Sequence, residues 1–244
     1  MQNRNPLLKR SSGYSLIELL VVVILIGVIM AFGVPAAGKI LKGSALTQAV
    51  NLLTDEVSRA RQHALTRNRV VEMRFYLMAD PEIPGEIATD YTTGSFRAFQ
   101  YFEIPTQTIS GKSVPIPIGK YIRLPDTVIM SRGTTLSSLI GDLPAGTGAT
   151  LITPDATVDP DLPRGVGQSY RYVAFRFLPD GTTNLSATGN PSITTSSAGR
   201  WFITFHLLAD VKKTGTNYDT PPPNFVTWTI NPVAGITKTL RPGS

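Results

Sequence analysis

Gly13-Tyr14-Ser15-Leu16-Ile17-Glu18-Leu19-Leu20 opens the stretch on which the fold turns, and residues 21–37 complete it as VVVILIGVIMAFGVPAA. From Leu19 to Ala37 no residue is charged. As a helix that run spans roughly 28 Å, close to the ~30 Å hydrocarbon core of a bilayer. The residues ahead of it, MQNRNPLLKRSSG, are polar and basic, with Arg4, Lys9 and Arg10 and no acid. Basic residues before an apolar run place the amino terminus in the cytoplasm. Lys39 and Lys42 follow the run, so charge asymmetry is a modest part of the case.

Three readings compete for this segment. A secretory signal peptide needs a small-x-small cleavage site after the run, which Gly33-Val34-Pro35 and Ala36-Ala37-Gly38 satisfy loosely. A plain membrane anchor needs only the run itself. Neither gains from Glu18, which sits just inside the apolar stretch. A carboxylate at membrane depth costs roughly 2.5–3.5 kcal/mol even on lenient insertion scales, and such a residue usually has a charged partner.

The order of basic leader, Gly13, aromatic Tyr14, Glu18 and apolar run resembles the type III signal of type IV prepilins and type II secretion pseudopilins. The resemblance implies that a membrane prepilin peptidase and methyltransferase cuts after Gly13 on the cytoplasmic side and methylates the new terminus at Tyr14. It also implies an assembly role for Glu18 and for Pro35, which stands where members often carry a proline. Tyr14 replaces the usual phenylalanine and keeps the ring. Cleavage would leave a cationic amine on Tyr14, and Glu18 could pair with the amine of a neighbouring subunit. That pairing compensates a buried charge and sets subunit register. The apolar run then serves first as anchor and later as filament core.

Beyond Ser44, residues Leu46, Val50, Leu53, Val57, Ala60 and Ala64 recur at spacings of four and three. This is one apolar stripe of a helix, predicted to end near Arg67–Arg69 and to pack on the protein's own sheet. Pro35, with Gly33 and Gly38, predicts a kink. Asp55 and Arg59 have the i,i+4 spacing of an outward ion pair. Strand patterns follow at Val70–Ala79, Ser95–Ile104, Lys120–Leu124, Asp126–Ser131, Ser169–Leu178, Arg200–Leu208, Phe225–Ile230 and Ile236–Leu240. Alternation is clearest in two. Trp201, Ile203, Phe205 and Leu207 share one face, and Arg171, Val173, Phe175 and Phe177 share another, with Tyr170 and Tyr172 opposite. The links, about 80–94, 132–168, 180–199 and 209–224, are rich in Gly, Pro, Ser and Thr. One helix followed by strands predicts an α+β chain whose antiparallel sheet packs on the second half of the helix.

Two turn-bearing pieces, Phe175-Arg176-Phe177-Leu178-Pro179-Asp180-Gly181-Thr182 and Trp228-Thr229-Ile230-Asn231-Pro232-Val233-Ala234-Gly235-Ile236, resemble the domain of the H-type minor pseudopilins and their FimT-like relatives. The Ala/Arg-rich helix end from Ser58 to Arg69 resembles that group too. The chain is also similar to the D-type pilin-like proteins of exported gene cassettes in Verrucomicrobia. The resemblance is patchy over 70–244, where the loops are longer than the group's, and it implies a pilin-like fold.

Of the 244 residues, 42% are hydrophobic and 16% charged, which excludes a disordered chain. With 21 glycines and 19 prolines an all-helical bundle is not expected. Cysteine is absent, which excludes disulfide scaffolds, cysteine nucleophiles and thiolate metal sites. The net charge of +6 owes much to the leader, and the remainder is too mildly basic to argue for nucleic acid.

No catalytic constellation stands out, and no cofactor is expected. His63 and His206 have no metal-ligand spacing and read as surface or packing residues. No P-loop, nucleophile elbow or Rossmann fingerprint occurs. Asp155, Asp159 and Asp161 in PDATVDPDLP are weak calcium candidates, with Pro160 restricting the chain. A solvated acidic loop is the reading adopted there, as for Asp80, Glu82, Glu86 and Asp90. Lys212, Lys213, Lys238 and Arg241 could touch phosphate, as basic carboxyl-terminal residues do in some FimT-like minor pilins. They are read here as solvated surface charge, with nucleic acid not expected as a partner.

These observations divide the chain into a leader at 1–13, a membrane and filament-core helix at 14–43, an amphipathic half-helix at 44–69 and a β-rich domain at 70–244. The expected protein is a minor pilin-like structural subunit rather than an enzyme. It would be single-pass in the inner membrane with a cytoplasmic amino terminus and a periplasmic domain, later part of a filament. Its expected partners are the prepilin peptidase, other pilin or pseudopilin subunits through the helix, and the inner-membrane assembly platform of a type II secretion system or type IV pilus. The alternatives are a DNA-binding minor pilin of an uptake system and a membrane-anchored periplasmic hydrolase.

Overall fold

The computed structural model describes residues 14–79, 94–106, 108, 111–133, 135–141, 150–163, 165–187, 201–210 and 221–241, with helix side chains 31–42 outside the description. The chain divides into two units, Met1–Lys42 and Gly43–Ser244. The architecture is α+β, a long amino-terminal helix and a large antiparallel sheet.

Helix α1 runs over Leu16–Arg67 and is continuous through Pro35. The kink expected at Pro35 falls among residues 31–42, outside the described side chains. In the second unit the predicted stripe is the buried face. Leu46, Ala49, Val50, Leu53, Val57, Ala60 and Ala64 are each at most 1% exposed. They form one core with the inner faces of the strands, and each large side chain so buried contributes roughly 1.5–3 kcal/mol. Arg59 does not pair with Asp55. It pairs with Glu56 at 2.8 Å, because Glu56 borders the buried face and its carboxylate is largely withdrawn from water, whereas Asp55 stays solvated. The helix ends where the sequence places it. Asn68 adopts φ 52° and the Arg69 amide donates to the Ala64 carbonyl at 3.2 Å. This is a left-handed cap with a 6→1 bond, which asparagine tolerates almost as well as glycine.

Among the described residues nine strands follow: β1 Val70–Met78, β2 Ser95–Ile104, β3 Ile116–Pro117, β4 Ile122–Arg123, β5 Val128–Met130, β6 Tyr170–Phe177, β7 Trp201–Leu207, β8 Phe225–Ile230 and β9 Thr237–Leu240. Their order is β6-β1-β2-β5-β7-β8-β9, and every described pairing is antiparallel. The far edge of β2 is shared by short pieces in turn: Glu103 and Phe102 meet β3, Phe99 and Ala98 meet β4, and Phe96 meets β5. That sharing makes β4 and β5 shorter than their sequence patterns. It also makes β3, a two-residue strand ending in proline, invisible to any alternation test.

Alternation in β6 and β7 sorts as predicted. Val173, Phe175, Phe177, Trp201, Ile203, Phe205 and Leu207 enter the core against the helix. Tyr170 and Tyr172 join Tyr76, Met78, Ala98, Phe102 and Leu162 in a second cluster on the opposite face. Strand β1 is therefore covered on both sides, which is why VVEMRFYLM shows no clean apolar–polar rhythm.

The two turn-bearing pieces pack on each other and on the helix. The Thr183 amide and hydroxyl both donate to the Pro232 carbonyl, at 2.9 and 2.8 Å. Arg61 Nε donates to the Gly181 carbonyl at 3.2 Å. Gly181 and Gly235 have φ 81° and 63°. A Cβ at Gly235 would lie 2.6 Å from the Gly181 carbonyl oxygen, a backbone contact that cannot yield cheaply.

Candidate functional site

The amino-terminal unit carries the clearest site. Residues 1–13, including Gly13 and the basic leader, lie outside the described residues. Tyr14 is 86% exposed and precedes the first turn of α1. Ser15 caps that turn. Its hydroxyl accepts from the Glu18 amide at 3.2 Å, and the Glu18 carboxylate accepts from the Ser15 amide at 3.2 Å. This reciprocal capping box satisfies two amides that a helix start leaves without partners. Glu18 at the third helical position also suits the positive end of the helix dipole. To the intermolecular role expected of Glu18 the structure adds a local one, with Ser15 as its partner at Ser-x-x-Glu spacing. Beyond the cap, the large apolar side chains from Leu16 to Met30 are exposed on all sides, from 47% at Ile26 to 85% at Leu16.

This arrangement meets its match among known proteins in one place. Residues 8–34 match the prokaryotic N-terminal methylation motif. The chain begins as a type IV prepilin-like precursor does, with the processing by prepilin peptidase, the association with other pilins and the membrane anchoring of the precursor that this motif implies. The match does not single out the H-type or any other subgroup. No curated protein and no solved structure matches the chain. Among the described residues no helix is long and apolar enough to cross a membrane. The Leu19–Ala37 run extends into residues 31–42, whose side chains lie outside the description.

In the second unit the acidic loop is not uniformly solvated as expected. Asp155 lies at the surface and accepts from Lys112 and from the Thr157 amide and hydroxyl, which hold its carboxyl well below the usual carboxylate range. Asp161 is exposed and accepts from Gln168 Nε2 at 2.6 Å. Asp159 turns inward. Its side chain is 5% exposed and receives Arg74 Nη1 at 2.7 Å. Arg74, itself 3% exposed, also donates Nε to Glu72 at 2.7 Å. The guanidinium lies 4.3 Å from the Tyr172 ring centroid and 4.6 Å from that of Phe102. Burial opposes its charge, but Glu72, Tyr172 and Asp159 outweigh burial and hold the guanidinium protonated more firmly than in water. Tyr172 beside it is pushed up to about 12, chiefly by burial. The three aspartates thus do not converge. Among the described residues no group of three or more metal-ligating side chains does. Asp80, Glu82, Glu86, Asp90, Lys212 and Lys213 lie outside the described residues. Lys238 is exposed, and Arg241 donates to the Thr47 hydroxyl.

Both histidines are structural, in different ways. His63 Nε2 lies 2.9 Å from Glu103 on β2, clasping the helix end to the sheet, with Arg69 Nε 3.9 Å from the same carboxylate. His206 is 1% exposed, with Nδ1 3.1 Å from the Leu207 carbonyl. Burial lowers its pKa below 6.5, partly offset by that bond and by Asp210. The unfolded chain therefore binds a proton that the folded chain refuses, and stability falls as pH drops below about 6.5. The slope has a ceiling of about 1.4 kcal/mol per pH unit. A His206→Gln variant followed by denaturant unfolding between about pH 7.5 and 5 is expected to show a shallower decline than the parent. Parallel curves would mean that His206 does not titrate across the unfolding transition.

Proposed function

We propose that this chain is a minor pilin-like structural subunit, cut between Gly13 and Tyr14, N-methylated at Tyr14 and assembled through its amino-terminal helix. The observation that carries the reading is a capped helix whose Leu16–Met30 segment exposes apolar side chains on every side, headed by the methylation motif at residues 8–34. A helix that is apolar all round is stable only when wholly enclosed, by lipid or by other helices. A pilin-like subunit needs both environments in turn, first the inner membrane and then the filament core. The chain is a substrate of the prepilin peptidase and is assigned no catalytic step of its own. A β-rich domain of this bulk suits a tip-proximal or priming subunit of a type II secretion pseudopilus or type IV pilus, of the H-type group, better than one repeated along a filament. DNA binding is not part of the proposal: of its four candidate residues Lys212 and Lys213 lie outside the described residues, Lys238 is exposed, and Arg241 donates to the Thr47 hydroxyl.

Intact mass and amino-terminal sequencing of the protein from native membranes test the proposal. A chain starting at N-methylated Tyr14 is the expected result. An intact leader, or a start after Gly38, overturns it.

The two duties of Glu18 separate by substitution. Glu18→Gln keeps the reciprocal hydrogen bonds of the capping box and loses the charge, whereas Glu18→Ala loses the charge and the carboxylate's half of the box and keeps only the residue-18 amide on the Ser15 hydroxyl. Both variants are expected to be cleaved, and both to enter filaments at least about tenfold less than the parent, because an uncompensated amine must otherwise be buried. Normal incorporation of Glu18→Gln, measured by shearing and immunoblotting, would reduce Glu18 to a helix cap.

A further inference from the structure

The sheet ends differently at its two edges. At β6 the chain closes its own edge. Ile152 and Tyr172 exchange backbone bonds of 2.7 and 3.0 Å. The Asn184 amide donates to the Arg176 carbonyl at 3.0 Å, and Asn184 Oδ1 accepts from the Arg176 amide at 2.6 Å. At β9 the edge meets water: Lys238, Thr239 and Leu240 are exposed, and among the described residues β9 pairs with β8 alone. The ladder fixes which groups that edge offers. The Asn231 amide donates to the Ile236 carbonyl at 2.8 Å, and the register sets Thr229 against Lys238 and Thr227 against Leu240. Bonding alternates along such a ladder, so Ile236, Lys238 and Leu240 bond inward to β8. Thr237 and Thr239 then turn their N–H and C=O groups to the free edge.

Ile236, Lys238 and Leu240 stand at alternate positions and so share one face beside that edge. Ile236 is 56% exposed and Leu240 49%. With Thr229 and Asn231 the three line an open groove of about 530 Å³. From Phe225 to Arg241 the chain has two cations, Lys238 and Arg241, and no acid. An open edge is a template for a further strand, and a lysine on it selects against some partners. A second copy, antiparallel in the register that uses Thr237 and Thr239 of both strands, sets Lys238 against Lys238. Like charges directly opposite are destabilising, whereas an acid in that place is attracted. We propose that the β9 edge takes an extended segment of a different polypeptide, added antiparallel, with an acidic residue opposite Lys238 and apolar residues two positions to either side, against Ile236 and Leu240. Main-chain bonds to Thr237 and Thr239 hold the segment, and its alternate side chains select it. The surface lies wholly in the second unit and does not depend on how the amino terminus is processed.

Hydrogen exchange on the full chain in detergent micelles tests this. The probe is a blocked peptide, Thr-Val-Thr-Glu-Thr-Val-Thr, and the control is the same peptide with lysine in place of glutamate. In the free chain the Thr237 and Thr239 amides are expected to exchange faster than those of Lys238 and Leu240, which bond to β8. The glutamate peptide in excess is expected to slow the Thr237 and Thr239 amides at least about tenfold and to leave the other two unchanged. The lysine peptide is expected to bind about fivefold more weakly. Lys238→Glu, at an exposed site, is expected to keep the fold and to reverse that order of preference. Slow exchange of Thr237 and Thr239 in the free chain would mean that the edge is already covered. Dimer formation without peptide would make a second copy the occupant. Equal protection by both peptides, or a preference unchanged in Lys238→Glu, would deny the acid its role. Each of these overturns the proposal, as does the absence of protection by either peptide.

Discussion

Replacing Gly13 by valine leaves the chain at full precursor length, unmethylated and held in the membrane. The expectation follows from what a peptidase must do at this bond. On the proposed cut after Gly13, the residue before the scissile peptide carries no side chain, and a site fitted to it leaves no room for one. One extra methylene in such a pocket costs about 1–3 kcal/mol, or about 10–200-fold in rate. Valine adds three carbons and β-branching, so processing is expected to fall below detection, and Gly13→Ala to fall less far. The readout is the mass of the chain recovered from membranes, alongside the parent. A mature-length product from Gly13→Val would place the cut elsewhere and remove Tyr14 as the methylated residue. The helix start is insulated from the change, because Ser15 and Glu18 cap it on the far side of the bond. A defect seen in Gly13→Val is therefore a defect of cleavage and not of helix formation.

Much of the fold was legible in the sequence because its strongest signals are local. The stripe from Leu46 to Ala64 needs only one helix and one apolar neighbour, and every member is buried. Six strands of the sheet fall within a residue or so of their patterns, since β-branched and aromatic runs bounded by turn residues suffice to mark them. What was not legible depends on distant pairing. Nothing near Asp159 marks it as the inward member of three aspartates, because its partner lies 85 residues earlier on β1. Arg59 had Asp55 at the favoured spacing, and only the burial of Glu56 decides for the other acid. The β3 strand has two residues and one donor fewer than a ladder wants. At the candidate site the motif matched over residues 8–34 was legible, and Ser15 has a capping role that is local and readable from its spacing to Glu18.

The largest effect on stability is expected at Arg74. Arg74→Met keeps most of the side chain's volume and can still lie against Phe102 and Tyr172. Among the described residues it removes the only cation shared by Glu72 and Asp159, whose side chains are 6% and 5% exposed. Arg176 remains for Glu72, whereas Asp159 has no second cation among the contacts described. Breaking a buried pair from one side costs about 3–5 kcal/mol, because the remaining charge is left desolvated. For a domain of this size that corresponds to a fall of about 6–20 °C in Tm. The loss is expected to come from the stranded carboxylate rather than from lost packing, and a second variant separates the two. Adding Asp159→Asn to Arg74→Met replaces a buried anion by a neutral amide that still accepts the Asp155 amide. The double variant is therefore expected to be more stable than Arg74→Met alone, by at least about 1 kcal/mol. Thermal unfolding of the three proteins gives the answer. A double variant no better than the single one would mean that Arg74 holds the tyrosine face by its bulk, and that its charge contributes little to the fold.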